Sequence, residues 1–317
     1  MSTSPFASLP ARIVVALIAI PAILWVIFQG GYWFFAFIAV LSSLALMEFY
    51  GLTAAKGAYP LKALGIVAGL LLNGSFLYER AHLQLFEMLA SAGVEPSMFS
   101  QLQFQLVVIL LFLCVVLLSE LFRTKGSPIV NAGATVSGVL FIALFFGTLI
   151  GIRELFPYGF PVHKFRHLIA SDGNERALID HWGGMTVAAI IVSLWVCDTA
   201  AYFFGLAFGR HRLFERVSPK KSWEGAVAGF LGAVLTFVAA QQFLLPYFSI
   251  AHALALGSLI GITGQLGDLV ESRFKRDAGV KDSSALIPGH GGVYDRFDSV
   301  VFVAPIAYLY IDFIVLS

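Results

Sequence analysis

Apolar residues run along this chain in blocks, each closed by a short cluster of polar, glycine or proline positions. Arg12 precedes a first block, Ile13 to Phe28, and Gln29-Gly30-Gly31 turns it into a second that ends near Tyr50. Lys56, Pro60 and Lys62 form a polar connection to a third block, Ala63 to Tyr78. Later blocks cover Phe104 to Leu118, Val130 to Ile152, Met185 to Phe204, Gly225 to Leu245, Ala251 to Val270 and Val300 to Leu316. Nine blocks of roughly 16–23 residues suit a hydrocarbon core of ~30 Å. The pattern therefore predicts an all-α, polytopic integral membrane protein with about nine transmembrane helices. Between Glu79 and Ser100, Leu83, Phe86, Leu89 and Ala90 recur at helical spacing. That fits either a short amphipathic helix on the membrane or a plain surface helix. A longer polar loop, Arg153 to Trp182, holds the turn signal Asp172-Gly173-Asn174.

Composition strengthens this reading. Of 317 residues, 59% are hydrophobic and 12% charged, which excludes an ordinary soluble domain. The formal net charge of +1 gives no reason to expect a nucleic-acid partner. Cys114 and Cys197 lie inside apolar blocks without zinc or disulfide spacing, and read as small hydrophobes. The first block is long enough to span and is followed at once by another, so no cleavable signal peptide is expected. With the N-terminus in the cytoplasm, fifteen of the 20 Lys and Arg fall on the cytoplasmic side. The expectation is a bacterial inner membrane, with both charged loops facing the cytoplasm and the C-terminus opposite. No internal repeat is visible.

Charge density, rather than net charge, marks the candidate chemistry. In the eighth block Gly261, Gly264, Asp268, Glu271, Ser272 and Lys275 follow steps of three or four and share one helical face. The glycines let another helix approach closely. An Asp facing lipid would cost about 2.5–3.5 kcal/mol, so Asp268 and Glu271 face protein or a cleft. Glu271 could equally pair with Lys275 at i,i+4. Asp295 and Asp298 bracket Arg296 at the entrance of the ninth block, a spacing that suits Mg²⁺. N-capping of that block is the other role open to Asp298. Lys275, Arg276, Lys281 and Arg296 interleave with these acids as in a site holding metal and polyphosphate together. Pro288-Gly289-His290-Gly291-Gly292 offers bare N–H groups to an anion, or is simply a reversal. His290 is either a turn residue or a phosphate ligand. Upstream, Asp198, Tyr202, Gly205 and Gly209 precede Ser218-Pro219-Lys220-Lys221-Ser222-Trp223-Glu224-Gly225. That string reads as a helix start able to hold phosphate. Alternatively, Lys220 and Lys221 only set topology.

The run Ser272-x-Phe274-Lys275-Arg276-x-x-x-x-Lys281-Asp282, continued by Pro288-x-His290-Gly291-Gly292-Val293-x-Asp295-Arg296-Phe297-Asp298, resembles the signature of phosphatidate cytidylyltransferases, or CDP-diacylglycerol synthases. Asp198-x-x-Ala201-Tyr202-x-x-Gly205 and the Ser218–Gly225 string are similar to that family too, with Ser222 where it commonly has Thr. Residues 1–152 resemble it only as apolar spans. They read as scaffold helices and 153–317 as the helices carrying the motifs, in one integrated membrane domain. The resemblance implies that phosphatidate and CTP give CDP-diacylglycerol and pyrophosphate, with Mg²⁺. It implies carboxylate metal ligands, placed on Asp268, Asp295 and Asp298. A second, monovalent cation and a homodimer are left open. Catalytic roles fall to Asp268, Asp295, Lys220, Lys221, Lys275 and Arg276. Phosphate binding is expected of Ser218, Lys220, Lys221, Ser222, Glu224, Lys281, His290, Gly291, Gly292 and Arg296. Support is expected of Asp198, Tyr202, Glu271, Ser272 and Asp282. The rivals are a CTP-dependent membrane lipid kinase, against which the full Lys-Asp to Asp-Arg-x-Asp run argues, and an ion-coupled transporter using Asp198, Asp268 and Glu271. Charges gathered at one edge speak against the transporter.

Overall fold

The computed structural model of the protein describes residues 9–91, 100–169, 174–286 and 291–317. It is helical almost throughout. The helices are α1 (Leu9–Gln29), α2 (Gly31–Ala55), α3 (Lys62–Ser75), α4 (Tyr78–Ser91), α5 (Gln101–Phe122), α6 (Pro128–Gly159), α7 (Glu175–Phe208), α8 (Trp223–Phe243), α9 (Ile250–Asp277) and α10 (Tyr294–Tyr310). Among the described residues, α2, α5, α6, α7, α8, α9 and α10 (which continues to Val315) are long and apolar enough to cross a membrane. The first and third predicted spans correspond to the shorter apolar stretches Leu17–Gln29 and Lys62–Ser75. The chain is thus a multi-pass membrane protein, seven of whose helices meet the length requirement among the described residues.

Several boundaries differ from the hydropathy pattern, each for a physical reason. Helix α6 runs past Ile152 to Gly159, with two π-helical turns, Val139–Leu144 and Leu155–Gly159. Helix α7 starts at Glu175, ten residues before the apolar block, so the end of the polar loop is helical. Arg153, fully buried, accounts for both extensions. Its guanidinium forms two hydrogen bonds to Asp180 on α7, at 2.8 and 2.9 Å, and donates from Nε to the Ile27 carbonyl at the end of α1, at 3.1 Å. A bidentate carboxylate satisfies a buried guanidinium well. Nearby, Arg80 on α4 pairs with Glu154 at 2.9 Å. The segment expected to be amphipathic is helical as far as Ser91, and Leu83, Leu85 and Phe86 on it are exposed. The remainder of that prediction, residues 92–99, lies outside the described residues, as do Asp172-Gly173 and Pro288-Gly289-His290.

The principal core draws on both ends of the chain. Phe34, Leu46 and Tyr50 from α2 pack with Phe146 and Ile150 from α6, Leu194 from α7, Phe237 from α8, Ile260 from α9 and Val303 from α10. A smaller cluster joins Leu72 of α3, Phe112 of α5 and Val139 of α6. Helix α5 leaves most of its leucines exposed, Leu110, Leu117 and Leu121 among them, as expected of a lipid-facing helix. In the C-terminal half α8 lies between α7 and α9, while α10 packs on α9. Glycines set these approaches. A Cβ at Gly225 would stand 2.6 Å from the Ala201 carbonyl of α7, and one at Gly267 2.7 Å from Phe302 Cβ of α10. Larger residues would drive the helices apart.

One feature departs from the all-helical expectation. Between α7 and α8 the chain forms a small antiparallel hairpin, β1 (Arg212–Phe214) and β2 (Ser218–Ser222).

Candidate active site

The site lies where the ends of α7 and α9 meet the beginnings of α8 and α10. A cavity of about 680 Å³ opens between α7, α8, α9 and the hairpin. Asp198, Tyr202 and Gly205 line it from α7, Lys220 and Lys221 from β2, and Gln265 and Asp268 from α9. Lys221 Nζ lies 2.6 Å from Asp268 Oδ2, and Ser272 donates to Asp268 Oδ1 at 3.3 Å. The lysines were expected at a helix start; they stand on β2, one strand earlier. Ser222 is the N-cap of α8, its Oγ accepting from the Gly225 N–H at 3.2 Å. Glu224 accepts from the Arg210 and His211 N–H groups and contacts His211 Nδ1 at 2.6 Å. Glu224 ties the hairpin base to the first turn of α8. Ser218 is the strand partner of Phe214.

Asp268 also belongs to a second group. Asp268, Glu271 and Asp298 each present an oxygen, all within 4.8 Å of one another. Glu271 is almost fully buried and its cation partner is Lys275, at 2.6 Å, so the i,i+4 pair open from the sequence is formed. Lys275 simultaneously pairs with Asp295 at 2.8 Å. It is therefore a bridge between two carboxylates, one on α9 and one on α10.

The two α10 aspartates, both expected to hold metal, are placed differently. Because α10 begins at Tyr294, not Val300, Asp298 sits a full turn inside the helix and does not cap it. Asp295, in the first turn, accepts from the Gly292 N–H at 2.7 Å and the Ser283 N–H at 3.0 Å, in addition to Lys275. Of the glycine segment, Gly292 gives its N–H to the protein's own Asp295. Gly291 has φ +81°, and a Cβ there would meet Asp295 Oδ2 at 2.7 Å. A glycine is required on both counts. The converging acids are thus Asp268, Glu271 and Asp298, with Asp295 held behind them.

Of the remaining residues singled out, Arg276 donates to the Val280 carbonyl at 3.1 Å and closes the end of α9. Lys281, Asp282 and Arg296 are exposed beside this loop. His290 lies outside the described residues. Sequence reasoning missed Gln265 and Arg212 in the cavity wall. It also missed Glu48, which binds the loop from α2. The available signal for Glu48 was an acid within an apolar block.

A multi-pass helical membrane protein whose lysine-lined cavity adjoins a cluster of carboxylates at one helix edge has the equipment of an enzyme acting on phosphates at a bilayer surface. A profile of the cytidylyltransferase family matches residues 10–314. The chain belongs to that family. It is 34% identical over 319 residues to a phosphatidate cytidylyltransferase of Synechocystis sp., covering 95% of each chain. It is also 42% identical over 133 residues to one of Thermotoga maritima, covering 40% of this chain and 49% of the relative. A third, from Staphylococcus epidermidis, is 46% identical over 113 residues, covering 36% of this chain and 44% of the relative.

Proposed function

We propose that this chain is a phosphatidate cytidylyltransferase of phospholipid biosynthesis, acting at the cytoplasmic face of a bacterial inner membrane. CTP and phosphatidate give CDP-diacylglycerol and pyrophosphate. The observation that carries the reading is the cavity in which Lys220 and Lys221 face Asp198 and Asp268, beside Glu271 and Asp298. A phosphatidate oxygen attacks the α-phosphorus of CTP. The new P–O bond forms as the bond to the β-phosphate oxygen breaks, and pyrophosphate leaves. The nucleophile is already an anionic phosphate, so no strong base is needed, and the protein acts by positioning and charge neutralisation. Lys220 and Lys221 bind phosphate oxygens, and Asp268 holds Lys221 in place through their 2.6 Å pair. Tyr202 and Leu206, which line the cavity, and Phe203 beside them are exposed apolar side chains past which a lipid substrate would enter.

The donor set fits Mg²⁺. Asp268, Glu271 and Asp298 supply only carboxylate oxygens, and Mg²⁺ takes one or two such ligands while leaving positions for phosphate. Bound there, the cation would neutralise charge on the triphosphate. Asp295 is left out of this set because its oxygens do not join that cluster and take two backbone N–H groups besides Lys275.

The test is isotopic. Purified protein in lipid nanodiscs, given phosphatidate and CTP labelled in the cytosine ring, should produce a labelled lipid. Label entering lipid only from γ-³²P-CTP would identify a lipid kinase and overturn the proposal.

A further inference from the structure

Glu48 lies within the apolar sequence of α2 and is 8% exposed, yet the groups bonded to it are N–H and O–H donors from 235 to 246 residues away. Oε1 accepts from the Val293 N–H at 2.9 Å and the Ser284 hydroxyl at 2.7 Å. Oε2 accepts from the Tyr294 N–H at 2.8 Å and the Ser283 hydroxyl at 2.8 Å. Two donors come from the start of α10 and two from the loop leaving α9. One carboxylate therefore ties Ser283 and Ser284, between the acid-bearing helices, to the start of α10. A carboxylate at a helix N-terminus also complements the helix dipole.

Ser283 links this clamp to the site. Its hydroxyl binds Glu48 and its N–H binds Asp295, which Lys275 also holds. Lys275 in turn holds Glu271 at 2.6 Å. A continuous chain of bonds thus runs from α2 through the loop to the acids of α9. We infer that Glu48 is a positioning residue for the transfer reaction: it fixes the α9–α10 loop, and through Ser283 and Asp295 the placement of Lys275 and Glu271. It does not itself line the cavity.

The kinetic part of the test rests on the proposed cytidylyl transfer; the structural part does not. Glu48→Gln keeps size and shape but points an NH₂ group at two donors, so two of the four bonds are lost. Hydrogen–deuterium exchange of the peptide spanning 281–294 in nanodiscs should rise about tenfold or more, since charge-assisted bonds are being removed. The kcat should fall about tenfold or more while the KM for CTP stays within about threefold, because the cavity lysines are untouched. The double variant Ser283→Ala, Ser284→Ala removes the two hydroxyl donors and spares Glu48. It should show the same signature more weakly, and it keeps the test open should Glu48→Gln fail to fold. Unchanged exchange in that peptide overturns the inference whatever the activity. Raised exchange with unaltered kcat overturns the link to catalysis. If the wild type makes no labelled lipid, the reaction proposed above fails, while the exchange result still decides the clamp.

Discussion

The different placements of Asp295 and Asp298 can be tested by comparing their asparagine variants. Asp295 is 9% exposed and takes Lys275, the Ser283 N–H and the Gly292 N–H. In Asp295→Asn one oxygen becomes an NH₂ group facing donors, and Lys275 keeps only Glu271. Breaking a buried ion pair from one side costs about 3–5 kcal/mol, and retention of one acceptor places the loss near ~3 kcal/mol. Asp298 is different. Its bond from the Ser299 N–H can be accepted as well by an asparagine oxygen, and it stands among like charges. Asp298→Asn should therefore change stability without Mg²⁺ by less than ~1 kcal/mol. Ligand binding stabilises a native state by about 2.7 kcal/mol at a hundredfold excess over Kd. Thermal unfolding in nanodiscs, followed across an Mg²⁺ titration, should show that increment in the wild type and in Asp295→Asn around a lower baseline. Asp298→Asn should need at least about tenfold more Mg²⁺, the scale seen when metal sites lose a supporting group. Cytidylyl transfer measured against Mg²⁺ should shift in parallel. The reasoning is refuted if Asp295→Asn is as stable as the wild type but needs more Mg²⁺, and Asp298→Asn responds normally.

Other consequences can be checked with single variants. Lys221→Gln removes the partner of Asp268 and a phosphate contact, so the KM for CTP should rise about tenfold or more with insertion unimpaired; unchanged kinetics there and in Lys220→Gln would reduce both lysines to topology signals. Gly225→Val forces side-chain carbon into the Ala201 carbonyl region and should cost more than about 1–3 kcal/mol of overpacking, read as loss of a monodisperse peak on size exclusion. A reporter active only in the cytoplasm, fused after Ser317, should be silent; activity would reverse the assigned orientation.

How far the sequence carries depends on the range of the interactions involved. Apolar blocks long enough to span were visible because bilayer thickness acts on each segment alone. The glycine and acid face of α9 followed from helical periodicity, also a local rule. The start of α10 was misjudged because Glu48, far away in sequence, accepts the N–H groups of Val293 and Tyr294 and so extends the helix backwards. That extension places Asp298 inside the helix and Asp295 in its first turn. Similarly, Arg153 and Asp180 made helix out of a segment that composition marked as loop. The hairpin before α8 escaped notice because strands of three and five residues, Arg212–Phe214 and Ser218–Ser222, are too short to show an alternating apolar pattern.

The position of Arg153 also bears on how this chain is made. It is synthesised after the end of α1, whose Ile27 carbonyl already waits for it, and before Asp180, which supplies its countercharge. Until α7 emerges from the ribosome, the guanidinium has only carbonyl partners from α1 in its final site. Such a charge is held poorly inside a bilayer, whereas at the membrane surface it stays hydrated. Docking of α6 against α1 therefore waits for α7. The half of the molecule that bears the cavity, by arriving last, releases the earlier helices into their final packing.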